Sequence, residues 1–143
     1  MATRLQIVPT AFRKPGQRRP RTEQGDFLAF VRSCPCLICN TTHNIQAAHI
    51  RFPSAMHGKP LTGVGTKPDD RHCVPLCESH HLMGPEAQHR SGELEWWKRQ
   101  KIDPLIIAAL LYSSFSVGDE DGATTIAVHA REITRNAGWF ALA

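Results

Sequence analysis

Five cysteines and eight histidines occur in the 143 residues, and most of them fall in two short stretches. The first is Cys36-Leu37-Ile38-Cys39. The second, Cys73 to His89, reads CVPLCESHHLMGPEAQH. A CxxC followed at a distance by a CxxH can close a tetrahedron of two knuckles on Zn²⁺. Cys36, Cys39, Cys77 and His80 are therefore the expected structural zinc ligands, which leaves Cys34 and Cys73 over. The competing reading, that some of these thiols are small buried hydrophobes, is weaker because two paired motifs occur together. His49, His81 and His89 exceed what a structural zinc needs, and function is sought there.

The elements that must position these groups can be read from the pattern. The segment Phe27 to Arg32 reads as a short helix with Phe27, Phe30 and Val31 on one face, and Asp26 as its N-cap. Cys34 to Asn40 is a turn carrying thiols. Ile45 to Ile50 reads as a strand ending at His49. Residues 51–70 are a loop rich in Gly and Pro, bearing Arg51, His57, Lys59 and Lys67. Such a loop can approach a phosphate backbone or can simply be solvated. Cys73 to Leu76 is a second strand, and Cys77 opens a helix that Gly84-Pro85 must interrupt. A further helix follows Ser91 as N-cap, with Trp96 and Trp97 as packing residues. Asp103-Pro104 starts a helix that is apolar nearly all round to Phe115. It must be buried, inside the domain or as a homodimer interface. Gly118 to Gly122 reads as an acidic turn. The last helix is expected from Thr124 to Gly138, with Ile126, Ala130, Ile133 and Ala137 as its stripe.

Composition narrows the class of protein. The net charge is +4, with a sequence pI near 9.0. The charge is uneven: residues 1–26 carry a net +4, residues 27–103 a net +2, and residues 104–143 a net −2. An anionic partner is favoured. The Arg- and Pro-rich residues 1–25 read as an arm able to lie along phosphates without a fixed fold. The chain shows neither a secretory leader nor an apolar run of membrane-spanning length, so a reducing cytoplasm with metal-bound thiolates is expected. A modest core, with 41% hydrophobic and 7% aromatic residues, suits a domain supplemented by a metal.

The order of strand histidine, loop, strand and helix histidine resembles the HNH, or His-Me finger, nuclease superfamily. The matching segments are Cys36 to Cys39, Ala48-His49-Ile50, Val74 to Cys77, and His80-His81 with His89 following. The loop Lys59 to Asp70 looks like that of small phage and prophage members. The resemblance covers residues 27–104. It implies an α+β fold, a small treble-clef or ββα-metal core with a zinc knuckle. On that division the arm is 1–25, the nuclease domain 26–104 and a C-terminal helical extension 105–143. It further implies phosphodiester hydrolysis on DNA in a bacterial host cell. His49 matches the general base, for which an imidazole pKa near working pH is suited. His81 and His89 match ligands of a catalytic Mg²⁺ or Mn²⁺, and Arg51, Lys59 and Lys67 would meet DNA.

Three positions depart from the family pattern. Ala48 stands where a metal ligand usually precedes the base. His72 stands where an Asn usually orients the base. His81 and His89 are eight residues apart, a rise of about 12 Å on an unbroken helix, so the Gly84-Pro85 break must fold His89 back. Two other functions compete with the endonuclease: a zinc-containing DNA-binding module without catalysis, for which Ala48 is the argument, and an assembly protein using the apolar 104–115 helix.

Overall fold

The computed structural model describes residues 21–63 and 65–138. The expected arm falls outside them up to residue 20. The chain is α+β: α1 (Gly25–Ser33), β1 (Ile45–His49), β2 (Cys73–Cys77), α2 (Glu93–Gln100), α3 (Pro104–Val117), α4 (Glu120–Val128) and α5 (Ala130–Ala137). A π-helical turn, Ser79–Met83, and a 3-10 turn, Gln88–Arg90, lie between β2 and α2.

The two strands pair antiparallel, from Ile45 opposite Cys77 to His49 opposite Cys73. Every residue of β2 is buried, because α1 and α3 both pack on it. The thiol knuckle is bound to the sheet through Leu37 N–H, which donates to the Pro75 carbonyl at 3.1 Å. Asn40 closes the knuckle turn in the left-handed region, at φ 60°, and donates to the Cys36 carbonyl. Asn tolerates that conformation better than most residues.

One core runs from Phe27 on α1 through Val74 and Leu76 to Trp97, Leu111, Ala127 and Ala130. It therefore continues past residue 104, and α3 to α5 are built into it. The apolar α3 finds its partners within the chain: Leu105, Ile107, Ala108 and Leu111 are buried against the sheet and the neighbouring helices. Phe27 meets Tyr112 and Phe115 with ring centroids 5.1 and 5.4 Å apart. Trp96 and Trp97 are both buried, as packing residues should be.

Three helix starts differ from the sequence reading. The N-cap of α1 is Gln24, and Asp26 lies in the first turn. Gly92 caps α2, while the Ser91 hydroxyl accepts from Arg99 instead. The presumed acidic turn is mostly helix: Asp119 caps α4 by accepting from Gly122 N–H at 2.8 Å. Acidic residues suit that first turn because they face the positive end of the helix dipole. The C-terminal stripe is then divided at His129 between α4 and α5. Asp103 caps α3 as expected, accepting from Leu105 and Ile106.

Candidate functional site

Three elements bring Cys36, Cys39, Cys77 and His80 together, with all ligand atoms within 4.8 Å of one another. The knuckle after α1 supplies two thiols, the end of β2 the third, and the π-turn the imidazole. Cys39 Sγ and Cys77 Sγ are 3.8 Å apart. A tetrahedral zinc with bonds of about 2.3 Å has S···S edges of about 3.8 Å. His80 Nδ1 lies 3.1 Å from Cys77 Sγ and 3.8 Å from Cys36 Sγ, bracketing the corresponding N···S edge. Burial pushes the Cys77 thiol up to about 11, and Cys36 and Cys39 alongside add to this. Burial, and then Arg131, lower His80 and so favour its neutral, metal-ready imidazole. The donor set fits a structural zinc with no open position. Cys34 and Cys73 stay outside it. Both are buried, and burial raises both thiols, Cys34 to about 11.

His49 stands at the end of β1, and its Nε2 is 2.8 Å from Asp70 Oδ1. Asp70 itself is almost fully buried. Burial pushes its carboxyl up, but bonds from Gln24 N–H, Arg21 and His49 outweigh this, and its pKa is lowered. Asp70 is therefore a carboxylate that only accepts, so the shared proton sits on His49 Nε2 and Nδ1 keeps its lone pair. Burial lowers the His49 pKa, and Asp70 only partly offsets it. The ring is thus neutral near pH 7, able to take a proton.

His72, which sequence position suggested beside the base, is not the group on His49. It is 9% exposed, with burial pushing it down to about 4, and its carbonyl accepts from Ile50 N–H at 2.9 Å to close the base of the loop. Asp70 is the side chain that bonds His49. Sequence reasoning missed it because nothing in the spacing singles out one of two adjacent aspartates. The segment ahead of α1 secures both: Arg21 bonds Asp70, Gln24 N–H donates to Asp70 at 2.8 Å, and Thr22 N–H donates to Asp69 at 2.7 Å.

The second pair is His81 and His89. Their Nε2 atoms lie 3.1 Å apart across eight residues of chain. The straight-helix rise does not apply, because the chain makes a π-turn, breaks at Gly84 and returns through the 3-10 turn. Gly84 is needed there: a Cβ would lie 2.5 Å from the Ser79 carbonyl oxygen. His81 Nδ1 is 2.6 Å from Gln46 Oε1. An amide oxygen only accepts, so Nδ1 carries the proton and Nε2 turns its lone pair to His89. Burial, His89 and His49 together push His81 down to about 4. Two imidazoles on one ion at about 2.1 Å have an N···N edge of about 3.0 Å if octahedral and about 3.4 Å if tetrahedral. The pair fits a divalent cation as two adjacent ligands. Ala48 is fully buried and adds no ligand.

The three expected DNA-facing bases separate. Arg51 and Lys67 are exposed. Lys59 is not available to a phosphate: it is 3% exposed, and its ammonium donates to the Arg51 carbonyl at 3.1 Å. Its stem is drawn inward by the Ser54–Lys59 bridge, and burial lowers its pKa. Arg51 N–H is in turn held by the Glu93 carboxylate at 3.0 and 3.1 Å. Of the remaining histidines, His129 caps the α4–α5 junction beside Glu132, at 3.4 Å.

The geometry defines a small α+β protein with one closed Cys/His metal site and an open histidine face beside it. Residues 8–118 match the model of DUF968, a protein family of unknown function, and the chain belongs to that family. No curated protein and no solved structure matches the chain. No helix among the described residues is long and apolar enough to cross a membrane.

Proposed function

We propose that this chain is a metal-dependent DNA endonuclease or nickase of the His-Me finger type, serving phage or prophage DNA processing. On this reading the knuckle, β1, β2 and the π-turn form a treble clef around zinc. The observation that carries it is the pair of His81 and His89 Nε2 atoms, 3.1 Å apart, on the strand–turn unit that presents His49 bonded to Asp70. A module that only bound DNA would need neither arrangement.

His49 acts as general base. Asp70 fixes the ring tautomer and orientation, so that Nδ1 takes the proton of the attacking water. The imidazolium so formed is steadied by the Asp70 carboxylate, itself held by Arg21 and the Gln24 N–H. Gln46 holds His81 in the tautomer that ligates through Nε2. His81 and His89 would hold a divalent cation, Mg²⁺ or Mn²⁺, which would supply positive charge for phosphodiester hydrolysis. Imidazole donors favour Mn²⁺ over Mg²⁺ at such a site. Arg51 and Lys67 face the DNA strand.

The test is plasmid nicking with Mg²⁺, Mn²⁺, Ni²⁺ or EDTA beside a His49→Ala control. Cation-dependent nicking that the variant lacks supports the endonuclease. A variant that nicks at the wild-type rate, with contaminating nucleases excluded, leaves the zinc-containing DNA-binding module in its place. The buried Ala48, with no third ligand to offer, is what favours that second reading.

A further inference from the structure

A cavity of about 320 Å³ opens between residues 59–63, residues 66–69 and Arg21, and Arg21 links it to the His49–Asp70 pair by its bond to Asp70. Arg21, Lys59 and Lys67 put three cationic side chains on its wall, of which the Lys59 ammonium is already spent on the Arg51 carbonyl, and Pro60 and Leu61 give it an apolar side. Leu61 is 73% exposed, so its side chain is open to an incoming apolar group. His72, nine-tenths buried and without a side-chain hydrogen bond among the described residues, also lines it. Arg21 spends one terminal nitrogen on Asp70 and the other on Glu23, while its Nε is buried without a hydrogen-bond partner. Asp69, at the same wall, accepts from Thr22 N–H.

We infer that this cavity receives one unstacked nucleotide of a nucleic-acid strand, adjoining the phosphate presented to His49. The assignment rests on the nucleic-acid reading above and adds the form of substrate. The volume lies at the lower end of the range of about 300–1,000 Å³ for small-ligand sites, enough for one nucleotide and far too little for a stacked duplex. The apolar wall takes a base face, the two cations take its phosphate, and the neutral His72 ring offers a donor or acceptor to a base edge. Arg21 joins the two sites, since the guanidinium on the cavity wall also holds the carboxylate that holds the base. Such an enzyme prefers strands with an unpaired nucleotide over fully paired DNA.

The test needs no turnover. Isotope-labelled His49→Ala protein, zinc retained and no second cation added, is titrated with (dT)5, with dTMP, with inorganic phosphate and with a fully paired hairpin. The expected result is a shift of the amides of residues 59–72 and of the His72 ring on (dT)5. Affinity for (dT)5 should exceed that for dTMP, phosphate or hairpin by about tenfold, since dTMP and phosphate lack flanking phosphates and the hairpin offers no unstacked base. The double substitution Leu61→Ser and Lys67→Ala should weaken it about fivefold or more, as expected for loss of one stacking surface and one charge. Shifts confined to the His81–His89 face, or a hairpin bound as tightly as (dT)5, would overturn the inference. A dTMP affinity equal to that of (dT)5 would overturn it in favour of a free-nucleotide site. Nicking and this titration can each fail alone, so the two readings are separable.

Discussion

The two histidine-bearing regions on either side of the π-turn use adjacent residues for opposite ends. His80 turns into a closed set of four ligands drawn from three parts of the chain, and the ion there can only hold them together. His81 turns the other way, to one partner ligand, with Gln46 behind it and His49 nearby. The first arrangement saturates its ion and so belongs to folding. On the proposed reading the second would leave most of the coordination sphere of a cation to water and substrate, which is what chemistry needs. Adjacent side chains on a helical turn point in different directions, so His80 and His81 reach two centres from one turn of chain.

The largest effect should come from the closed site. Zinc binding in small knuckles contributes about 10–16 kcal/mol of folding free energy, against a total stability of about 5–15 kcal/mol for a domain. Cys77→Ser or Cys39→Ser should unfold the region about the sheet, read as loss of near-UV circular dichroism and of bound zinc. A variant that folds normally without zinc would remove the contrast altogether.

His49→Ala should lower cleavage by about 10²–10⁴-fold, the usual contribution of a general base. Zinc content, melting temperature and DNA affinity should stay near wild type. Instability of this variant, measured by thermal melting, would place His49 on the structural side.

A smaller but more discriminating effect concerns His81 and His89. Each alanine variant should lose binding of the second cation, followed by Mn²⁺ titration, and by a similar factor. The double variant should be little worse than either single one, because residues that hold one ion act as a unit. Unequal losses would mean that the two rings serve different ions or that only one is a ligand.

The smallest effect is a displaced midpoint. A general base works only when unprotonated, so the rate should rise with pH through the His49 pKa and level off above it. Burial outweighs Asp70, so the midpoint of that rise should lie below about 6.5, the ordinary imidazole value. Asp70→Asn removes a charge that favours the imidazolium, so the midpoint should move lower still. A rise centred above the ordinary value would show that His49 is not the group titrating.

The closed site was legible in the sequence because its ligands come in pairs three residues apart, a spacing that local geometry alone satisfies. The two strands were legible for a similar reason: both are short runs ending at chemically distinctive residues. The open site was only half legible. His49, His81 and His89 could be named, but the approach of His81 to His89 depends on a π-turn and a glycine break, and ideal helix geometry argued against it. Asp70 joins His49 across 21 residues of irregular chain, and no periodicity links a loop carboxylate to a strand end. Lys59 misled because a lysine among prolines and glycines reads as solvated, whereas here a small bridge folds it under. The helix from Glu120 was hidden by two glycines, although Asp119 three residues before Gly122 was a cap in plain view.

Ile50 N–H bonds the His72 carbonyl at 2.9 Å, so the long excursion between β1 and β2 leaves and returns through a single gate. Asp70 lies just inside that gate, at the returning end of the excursion, and is moored from outside by Arg21 and Gln24. Lengthening a loop of this kind costs little, about 0.6 kcal/mol per doubling. The excursion could therefore be lengthened at small cost while the strand register and the His49–Asp70 contact stay put.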